Sequence, residues 1–290
     1  MTLLELIEAQ AARLTEAGVS FGHGTTNAFD EAAWLTLWRL GLPLDALDEH
    51  AAQDLTPAQC AEVQSLVGER IASRKPAAYL TREAWLQGVP FYVDERAIVP
   101  RSFIAELIAD ASIDPWLSER TQRVLDLCTG NGSLAVLAAM AWPEVEVDAI
   151  DLSADALAVA RINVERHGLQ QRVRLLQGDG LTPAQGPYDL ILCNPPYVNS
   201  ASMAALPAEY RAEPELALAG GDDGMDFIRT LLRAAPACLS ETGVLVLEIG
   251  NERPFFEAAF PRLEAAWLEC SAGEDQVLLL TREALLRGQI

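Results

Sequence analysis

Apolar residues in the first eighty positions recur at intervals of three and four, the spacing of one helix face. This pattern predicts a first helix over residues 3–14. Asp30 is expected to cap a second helix, which stops at Gly41, and Thr56 to cap a third, which Pro76 ends. The beginning of the chain is therefore predicted to form a small helical domain.

The pattern changes near residue 84. Aromatic and β-branched residues surround the turn at 88–90, which predicts a β-hairpin. Farther along, short apolar runs alternate with helical patterns, and we predict strands at 123–128, 145–151, 172–179, 188–194, 243–250 and 277–282. Such alternation is typical of an α/β fold with a mostly parallel sheet, helices on both faces, and ligands at the carboxyl ends of the strands. The expected division is a helical domain at 1–83, a hairpin connector at 84–100 and an α/β domain at 101–290.

The charge balance narrows the choice of partner. The 21 basic and 42 acidic residues leave a formal net charge of −21. This excess disfavours a nucleic acid or an anionic membrane as the main partner, and it allows a basic protein. For this reason we expect no direct DNA binding. We also expect no membrane association, since no apolar run approaches the roughly 18–20 residues of a membrane span.

Cysteine and histidine usage points to the compartment and argues against a metal. The five cysteines are odd in number and far apart, which indicates free thiols in a reducing compartment. The first residues lack the basic segment of a signal peptide, so we expect a cytoplasmic protein. The three histidines are isolated in sequence, and no metal site is expected.

The segment TGNGS at 129–133 lies between a predicted strand and a predicted helix. Gly130 and Gly132 permit a tight turn and let a ligand approach the backbone closely. Asp151 is predicted to end the next strand, where its carboxylate can accept hydrogen bonds from the hydroxyls of a ribose. Asp179 is predicted to end the third strand and to hold an adenine amino group. The pattern favours an adenosine-type cofactor.

Asp126 bears on which cofactor this is. An acidic residue so close to the glycine loop would repel a pyrophosphate and attract an amino-acid ammonium and a sulfonium. Gly130, Gly132 and Ala135 also satisfy the GxGxxA dinucleotide pattern, so a nicotinamide-dependent oxidoreductase stays open as an alternative. The other alternative is an ordinary strand-to-helix turn, with Asp126, Asp151 and Asp179 as solvated strand ends.

A second group, Asn194-Pro195-Pro196-Tyr197, follows the apolar strand at 188–193. The prolines stiffen the turn and remove two backbone donors, which leaves the carbonyls of Asn194 and Pro195 free to accept hydrogen bonds. With the side-chain oxygen of Asn194, these acceptors suit a planar NH2 group, against which Tyr197 can stack. The alternative is a rigid loop without a ligand.

Three segments together resemble a known family: DLCTGNG at 126–132, the stretch at 149–169, and NPPY at 194–197. They look like the S-adenosylmethionine-dependent methyltransferases with the seven-stranded, Rossmann-like fold, and more narrowly like the protein-(glutamine-N5) methyltransferases. The segments at 93–108 and 209–226 resemble the branch that acts on large-subunit ribosomal protein number three. The branch that acts on peptide release factors typically reads DLGTG and PRPETE. The resemblance spans roughly residues 32–251.

The resemblance implies S-adenosyl-L-methionine as cofactor, a basic ribosomal protein as partner, and a helical domain that recognises the substrate. It implies catalytic roles for Asn194, Pro195, Pro196 and Tyr197. It implies cofactor contacts from Asp126, Leu127, Cys128, Thr129, Gly130, Gly132, Asp151, Leu152, Asp179, Gly180 and Asn194.

Two positions depart from the family pattern. Phe103 stands where the family usually has proline, and this affects the expected substrate entrance. Gly180 stands where the release-factor branch often has an aromatic residue over the adenine.

We therefore predict N5-methylation of a protein glutamine, with the ribosomal protein as the expected substrate. Glutamine methylation of release factors is the first alternative. A DNA amino-methyltransferase, a nicotinamide-dependent oxidoreductase and a catalytically silent binding module are further alternatives.

Overall fold

The computed structural model describes residues 1–288. Its N-terminal part is helical, as the sequence predicts. A capping box between Thr2 and Glu5 starts the first helix, and one between Thr56 and Gln59 starts the fourth, with Pro57 at its first position. The helices of this part are α1 (Leu3–Glu16), α2 (Ala28–Leu40), α3 (Leu47–His50), α4 (Pro57–Ser73) and α5 (Ala77–Thr81).

Two predicted helix ends are wrong. Asn27, not Asp30, caps α2: its side chain accepts a hydrogen bond from the backbone N–H of Asp30, which is the third helical residue. Asn and Asp are equally good caps, so the sequence pattern alone did not separate them. The helix α4 ends at Ser73 because Arg74 adopts a left-handed conformation with φ of 58°, and Pro76 precedes the next helix.

The predicted hairpin is present and short. Strands β1 (Ala84–Leu86) and β2 (Val89–Phe91) pair antiparallel around Gln87 and Gly88. Both turn residues have positive φ, 49° and 73°, which is the requirement of a two-residue hairpin turn with the twist of the strands.

The main sheet has seven strands. They are β3 (Arg123–Leu127), β4 (Glu146–Asp151), β5 (Val173–Gln177), β6 (Tyr188–Cys193), β7 (Leu239–Glu248), β8 (Ala266–Cys270) and β9 (Gly273–Thr281). The strand order is β5-β4-β3-β6-β7-β9-β8. The first five strands of that order are parallel, and β9 runs antiparallel to both of its neighbours. Strand β8 was not predicted from the sequence.

Helices cover both faces of this sheet. Alternate residues of one strand enter different cores: Val124 packs with α7 and α8, whereas Leu125 and Leu127 pack with α10. The predicted α/β fold is thus confirmed. The helices of this part are α6 (Ile104–Ala109), α7 (Ser133–Ala141), α8 (Ala154–Arg166), α9 (Ser200–Ala205), α10 (Asp226–Cys238), α11 (Arg253–Ala259) and α12 (Arg282–Arg287).

The order of the strands places a ligand crevice. The chain proceeds outward from β3 to β5 and then returns to β6 on the other side of β3. At such a switch point the loops that leave two neighbouring strands diverge and open a crevice at the carboxyl edge. Leu127 of β3 and Cys193 of β6 are register partners, so the glycine loop and the NPPY turn begin side by side.

A third apolar cluster holds the helical part together, with members from Leu3 to Val99. Because it includes Val93 and Val99, the connector packs with the helices. The boundaries at 83 and 100 stay predictions. No helix within residues 1–288 has the length and hydropathy to cross a membrane.

Candidate active site

The loop after β3 approaches α8 closely. Cys128, Gly130 and Gly132 all have positive φ, 61°, 55° and 81°. A Cβ on Gly132 would lie 3.0 Å from the Cβ of Ala160, so only glycine fits where the loop enters α7. Leu127 is buried in the core, which leaves only its backbone to reach a ligand.

Asp151 ends β4, as predicted, and ties that strand to the glycine loop. Its Oδ2 accepts a hydrogen bond from Gly130 N at 2.9 Å, and its Oδ1 accepts one from Ser153 N at 2.8 Å. Burial raises the pKa of this carboxyl. Each carboxylate oxygen has a further lone pair that can accept a ribose hydroxyl. The adjacent Leu152 is 49% exposed, so the rim of the crevice is open there.

Asp126 lies beneath the loop rather than at its surface. It is 1% exposed, and its Oδ2 accepts hydrogen bonds from Thr129 Oγ1 at 2.5 Å and Ala135 N at 2.9 Å. Its Oδ1 is buried and has no hydrogen-bond partner within residues 1–288. Burial raises the pKa of Asp126 to about 7. An acceptor left unpaired under the loop, with Asp151 at its rim, fits an adenosine ligand that carries an ammonium better than one that carries a pyrophosphate.

Asp179 does not end a strand, contrary to the sequence prediction. Strand β5 ends at Gln177, because the chain turns at Gly180, where φ is 53°. Gly178 N donates to the carbonyl of Asp151 at 3.0 Å, which holds the turn beside the end of β4. Asp179 is therefore close to the predicted ribose site, although it lies on a turn.

Phe227 is a residue that the sequence analysis missed. A Cβ built on Gly180 would lie 3.9 Å from Cε2 of this ring, which belongs to α10. Phe227 thus places an aromatic ring beside position 180, where this chain has glycine. Its only sequence signal is its place at the start of a helix that follows the glycine-rich segment at 220–224.

The NPPY turn leaves β6 next to the glycine loop. Asn194 is half-buried, and its side chain makes no hydrogen bond within residues 1–288. No turn, cap or side chain in that part of the chain donates to the carbonyls of Asn194 or Pro195. The predicted acceptors are therefore available at the switch point. Pro195 is buried and Pro196 half-buried, so the turn is packed from beneath.

Three glycines make room for Tyr197. A Cβ on Gly250 would lie 2.6 Å from its ring carbon Cε2, and Cβ atoms on Gly220 and Gly224 would meet its backbone at 2.7 and 2.2 Å. The Tyr197 hydroxyl donates to Glu248 Oε1 at 3.5 Å. Burial and the neighbouring Glu248 raise the pKa of Tyr197, so the phenol is neutral at physiological pH.

Glu248, the second residue that was missed, lies buried at the end of β7. Its Oε2 accepts hydrogen bonds from Ser102 Oγ at 2.5 Å and Phe103 N at 2.9 Å. Proline at position 103 would have no N–H to donate, so the departure at Phe103 adds a hydrogen bond to Glu248. Burial raises the pKa of Glu248 to about 7. An acid inside the apolar run at 243–249 is the signal that was available in the sequence.

Comparison with known proteins shows the family. The model of the methyltransferase small domain matches residues 112–209, which include both loops of the crevice. The chain is 54% identical over 288 residues to a ribosomal protein uL3 glutamine methyltransferase of Bordetella pertussis, with 98% of this chain and 96% of that protein covered. It is 52% identical over 290 residues to the protein of the same name in Burkholderia pseudomallei, with 96% and 94% covered. The chain belongs to the ribosomal protein uL3 glutamine methyltransferase family.

This membership confirms the resemblance seen in the sequence, the enzyme class and S-adenosyl-L-methionine as the cofactor. The fold has a relative among solved structures, the catalytic domain of hMettl16 in complex with MAT2A 3'UTR hairpin 6. The TM-score is 0.52 at 11% identity, with 78% of this chain and 81% of that chain covered. For the present chain, the individual roles of the crevice residues stay predictions. Within residues 1–288, no group of three or more His, Cys, Asp and Glu side chains has a metal-binding arrangement.

Proposed function

We propose that this chain methylates the side-chain nitrogen of a glutamine in ribosomal protein uL3. The observation that carries the proposal is the unpaired side chain of Asn194 beside the glycine loop, at the switch point of the sheet. The names of the relatives in Bordetella pertussis and Burkholderia pseudomallei support the choice of substrate.

The cofactor, when bound, supplies an electrophilic methyl group on a sulfonium. The protein's task is to orient a poor nucleophile, because the lone pair of an amide nitrogen is delocalised. The oxygens of Asn194 and Pro195 accept hydrogen bonds from the two N–H groups, and this directs the nitrogen toward the glycine loop. The same hydrogen bonds favour the positive charge that the nitrogen gains with the methyl group, until one of its two protons leaves. Ideal orientation of this kind contributes up to roughly 7–11 kcal/mol. Tyr197 lies against the plane of the amide.

The cofactor fits the other half of the crevice. We assign the ribose to Asp151, the adenine amino group to Asp179, and the adenine face to Phe227. The turn from Leu127 through Cys128, Thr129, Gly130 and Gly132 carries the backbone groups that contact the rest of the ligand. The buried carboxyl of Asp126 accepts hydrogen bonds from Thr129 and Ala135 and so holds this turn. Its negative charge favours the ammonium of the cofactor.

The charge of the molecule supports a basic protein as partner. A net charge of −21 attracts a ribosomal protein and repels DNA. We propose that the reaction takes place in the cytoplasm, before or during assembly of the large subunit.

Transfer of a labelled methyl group tests this function. The purified protein is incubated with methyl-labelled S-adenosyl-L-methionine and, separately, with uL3, a peptide release factor and DNA. We expect label on uL3 alone, on one glutamine as located by mass spectrometry. Label on the release factor or on DNA, or no transfer to uL3, would contradict the proposal. Thermal stabilisation by S-adenosylhomocysteine but not by NAD checks the cofactor independently.

A further inference from the structure

The connection between β6 and α10 is long for an α/β domain and contains short helical segments of its own. Residues 194–225 contain the NPPY turn, α9 and two short 3₁₀ turns, Tyr210–Ala212 and Glu215–Ala217. Connections in α/β units usually have about 2–6 residues, and much longer ones are often functional. Val198 N donates to the carbonyl of Leu218, and Gly220 N donates to that of Val198, both at 2.9 Å. The chain that leaves the NPPY turn is therefore fixed to the far end of the same connection.

Glu209, in the middle of this connection, is anchored to the helical part. Its Oε1 lies 3.4 Å from Nη1 of Arg70 and 3.1 Å from Nη1 of Arg74. Arg70 is fully buried and also pairs with Glu31 of α2 at 2.8 Å. Although burial acts in the opposite direction, hydrogen bonds and the two arginines hold the pKa of Glu209 below its usual range.

Glu213 forms a second anchor four residues later. Arg101 donates to both of its carboxylate oxygens at 2.6 Å, and Val99 N donates to Oε1 at 2.9 Å. Nε2 of His23, from the loop before α2, lies 3.3 Å from Oε2. Burial acts to raise the pKa of Glu213, but Arg101 and His23 outweigh it and lower the pKa to about 2.

The ion pair between Glu213 and Arg101 is also connected to the crevice through Ser102 and Glu248. Arg101 lies 5.3 Å from the centroid of the Tyr210 ring, and the next residue, Ser102, hydrogen-bonds to Glu248. Glu248 in turn accepts the hydroxyl of Tyr197. The substrate side of the crevice is thus connected to the helical part through Glu213. Asp151 makes none of these contacts, and the glycine loop meets the connector elsewhere, at Ile98, which lies 3.5 Å from a Cβ built on Gly130.

Buried ion pairs contribute little net stability compared with apolar packing of similar size. Their best-attested use is to fix the register of the segments that carry them. We propose that Glu213 and Arg101, with Glu209 and Arg70 behind them, are positioning residues for the protein glutamine. They hold the connection at 194–225 in the register that orients the NPPY turn, and so make the helical part necessary for methyl transfer. This inference rests on the proposed function.

Glu213→Gln tests the inference, because it keeps the shape of the side chain and removes its charge. Measured well below the melting temperature, kcat/KM for uL3 is expected to fall about tenfold or more, the scale of a buried charged hydrogen bond, while the Kd for S-adenosylhomocysteine stays the same. The matched control is Glu62→Gln, which removes a carboxylate paired with Arg39 at 3.3 Å on the exposed surface of the helical part. The control is expected to keep wild-type kcat and KM.

A second variant and a second readout keep the test decisive. Arg101→Lys retains the charge and loses the paired hydrogen bonds, and it serves if Glu213→Gln does not fold. Hydrogen exchange needs no protein substrate: the amides of Val198 and Gly220 are expected to exchange faster in either variant, whereas that of Gly178, which donates to the carbonyl of Asp151, is not. If wild-type enzyme transfers no methyl to uL3, the proposed function fails and the exchange data alone decide the inference. A lower melting temperature with unchanged exchange and unchanged kcat/KM would overturn it.

Discussion

Asn194 directly follows β6, at the point where the two loops of the crevice begin side by side. It is half-buried beside a ligand crevice, and its amide makes no hydrogen bond within residues 1–288. Its side-chain oxygen is therefore free to accept a hydrogen bond from a ligand in the crevice.

Replacing Asn194 with alanine is expected to slow methyl transfer strongly and to leave cofactor binding largely unchanged. The substitution removes the side-chain acceptor but not the turn, which the two prolines stiffen. Loss of one positioned hydrogen-bonding group typically costs about 10²–10³ in kcat. Single-turnover transfer to uL3 and calorimetric binding of S-adenosylhomocysteine measure the two effects. The control is Asn27→Ala at the start of α2, and a wild-type kcat for Asn194→Ala would refute the assigned role.

Phe227 is expected to contribute to cofactor affinity through its ring. Aromatic stacking on a base is worth about 1–3 kcal/mol, so Phe227→Ala is expected to raise the Kd for S-adenosylhomocysteine about tenfold. The matched control is Phe255→Ala, on an exposed ring of α11. Calorimetry of both variants decides the question, and equal Kd values in wild type and Phe227→Ala would count against the adenine assignment.

At the scale of elements, the sequence pattern predicted those strands and loops whose structure depends on neighbouring residues. The parallel strands were placed within a few residues, because each is a short buried apolar run that ends in a turn. Both halves of the crevice were found for the same reason, since each directly follows a strand. Strand β8 was missed because it is an edge strand with little buried surface.

Contacts between distant segments were beyond the sequence. Arg101 and Glu213 are 112 positions apart, and no periodicity connects them. Glu248 and Phe227 reach the crevice from β7 and α10, so their proximity to Tyr197 and Gly180 depends on the order of strands in the sheet. Asp179 lies close to the end of β4, but a turn and not a strand end holds it, and its role toward the adenine stays a prediction.

The β7–α11 turn offers a test of how Tyr197 is held. A methyl group on Gly250 would meet the Tyr197 ring at 2.6 Å, so Gly250→Ala is expected to displace the ring and lower kcat for uL3 with little change in cofactor Kd. Gly168→Ala separates this clash from backbone strain. Gly168 has a similar positive φ, 68° against 53°, but nothing lies within 4 Å of its Cβ position. If both variants lose kcat equally, the clash with Tyr197 is not the cause.

On the scale of the whole molecule, the buried carboxyl groups have opposite effects on how the stability of the fold depends on pH. Glu213 has a pKa lowered to about 2, so its contribution is present above the unfolded pKa near 4.5 and is lost as the pH falls toward 2. Burial raises the pKa of Asp126 and Glu248 to about 7 in the folded protein. For these two groups the folded state holds its proton more tightly, so stability is lost as the pH rises from the unfolded pKa toward 7.

Glu248→Gln isolates this effect. Glutamine stays neutral, whereas wild-type Glu248 must ionise in a buried site as the pH rises from about 4.5 to 7. The melting temperature of the variant relative to wild type is therefore expected to rise across that interval and to level off above it, with each pKa unit worth about 1.4 kcal/mol. Glu213→Gln is the opposing control, since its deficit relative to wild type shrinks only as the pH falls below about 4.5. Thermal unfolding from pH 4 to 9 distinguishes the two trends. A difference between Glu248→Gln and wild type that does not change with pH would mean that the hydrogen bonds from Ser102 and Phe103 keep Glu248 ionised throughout.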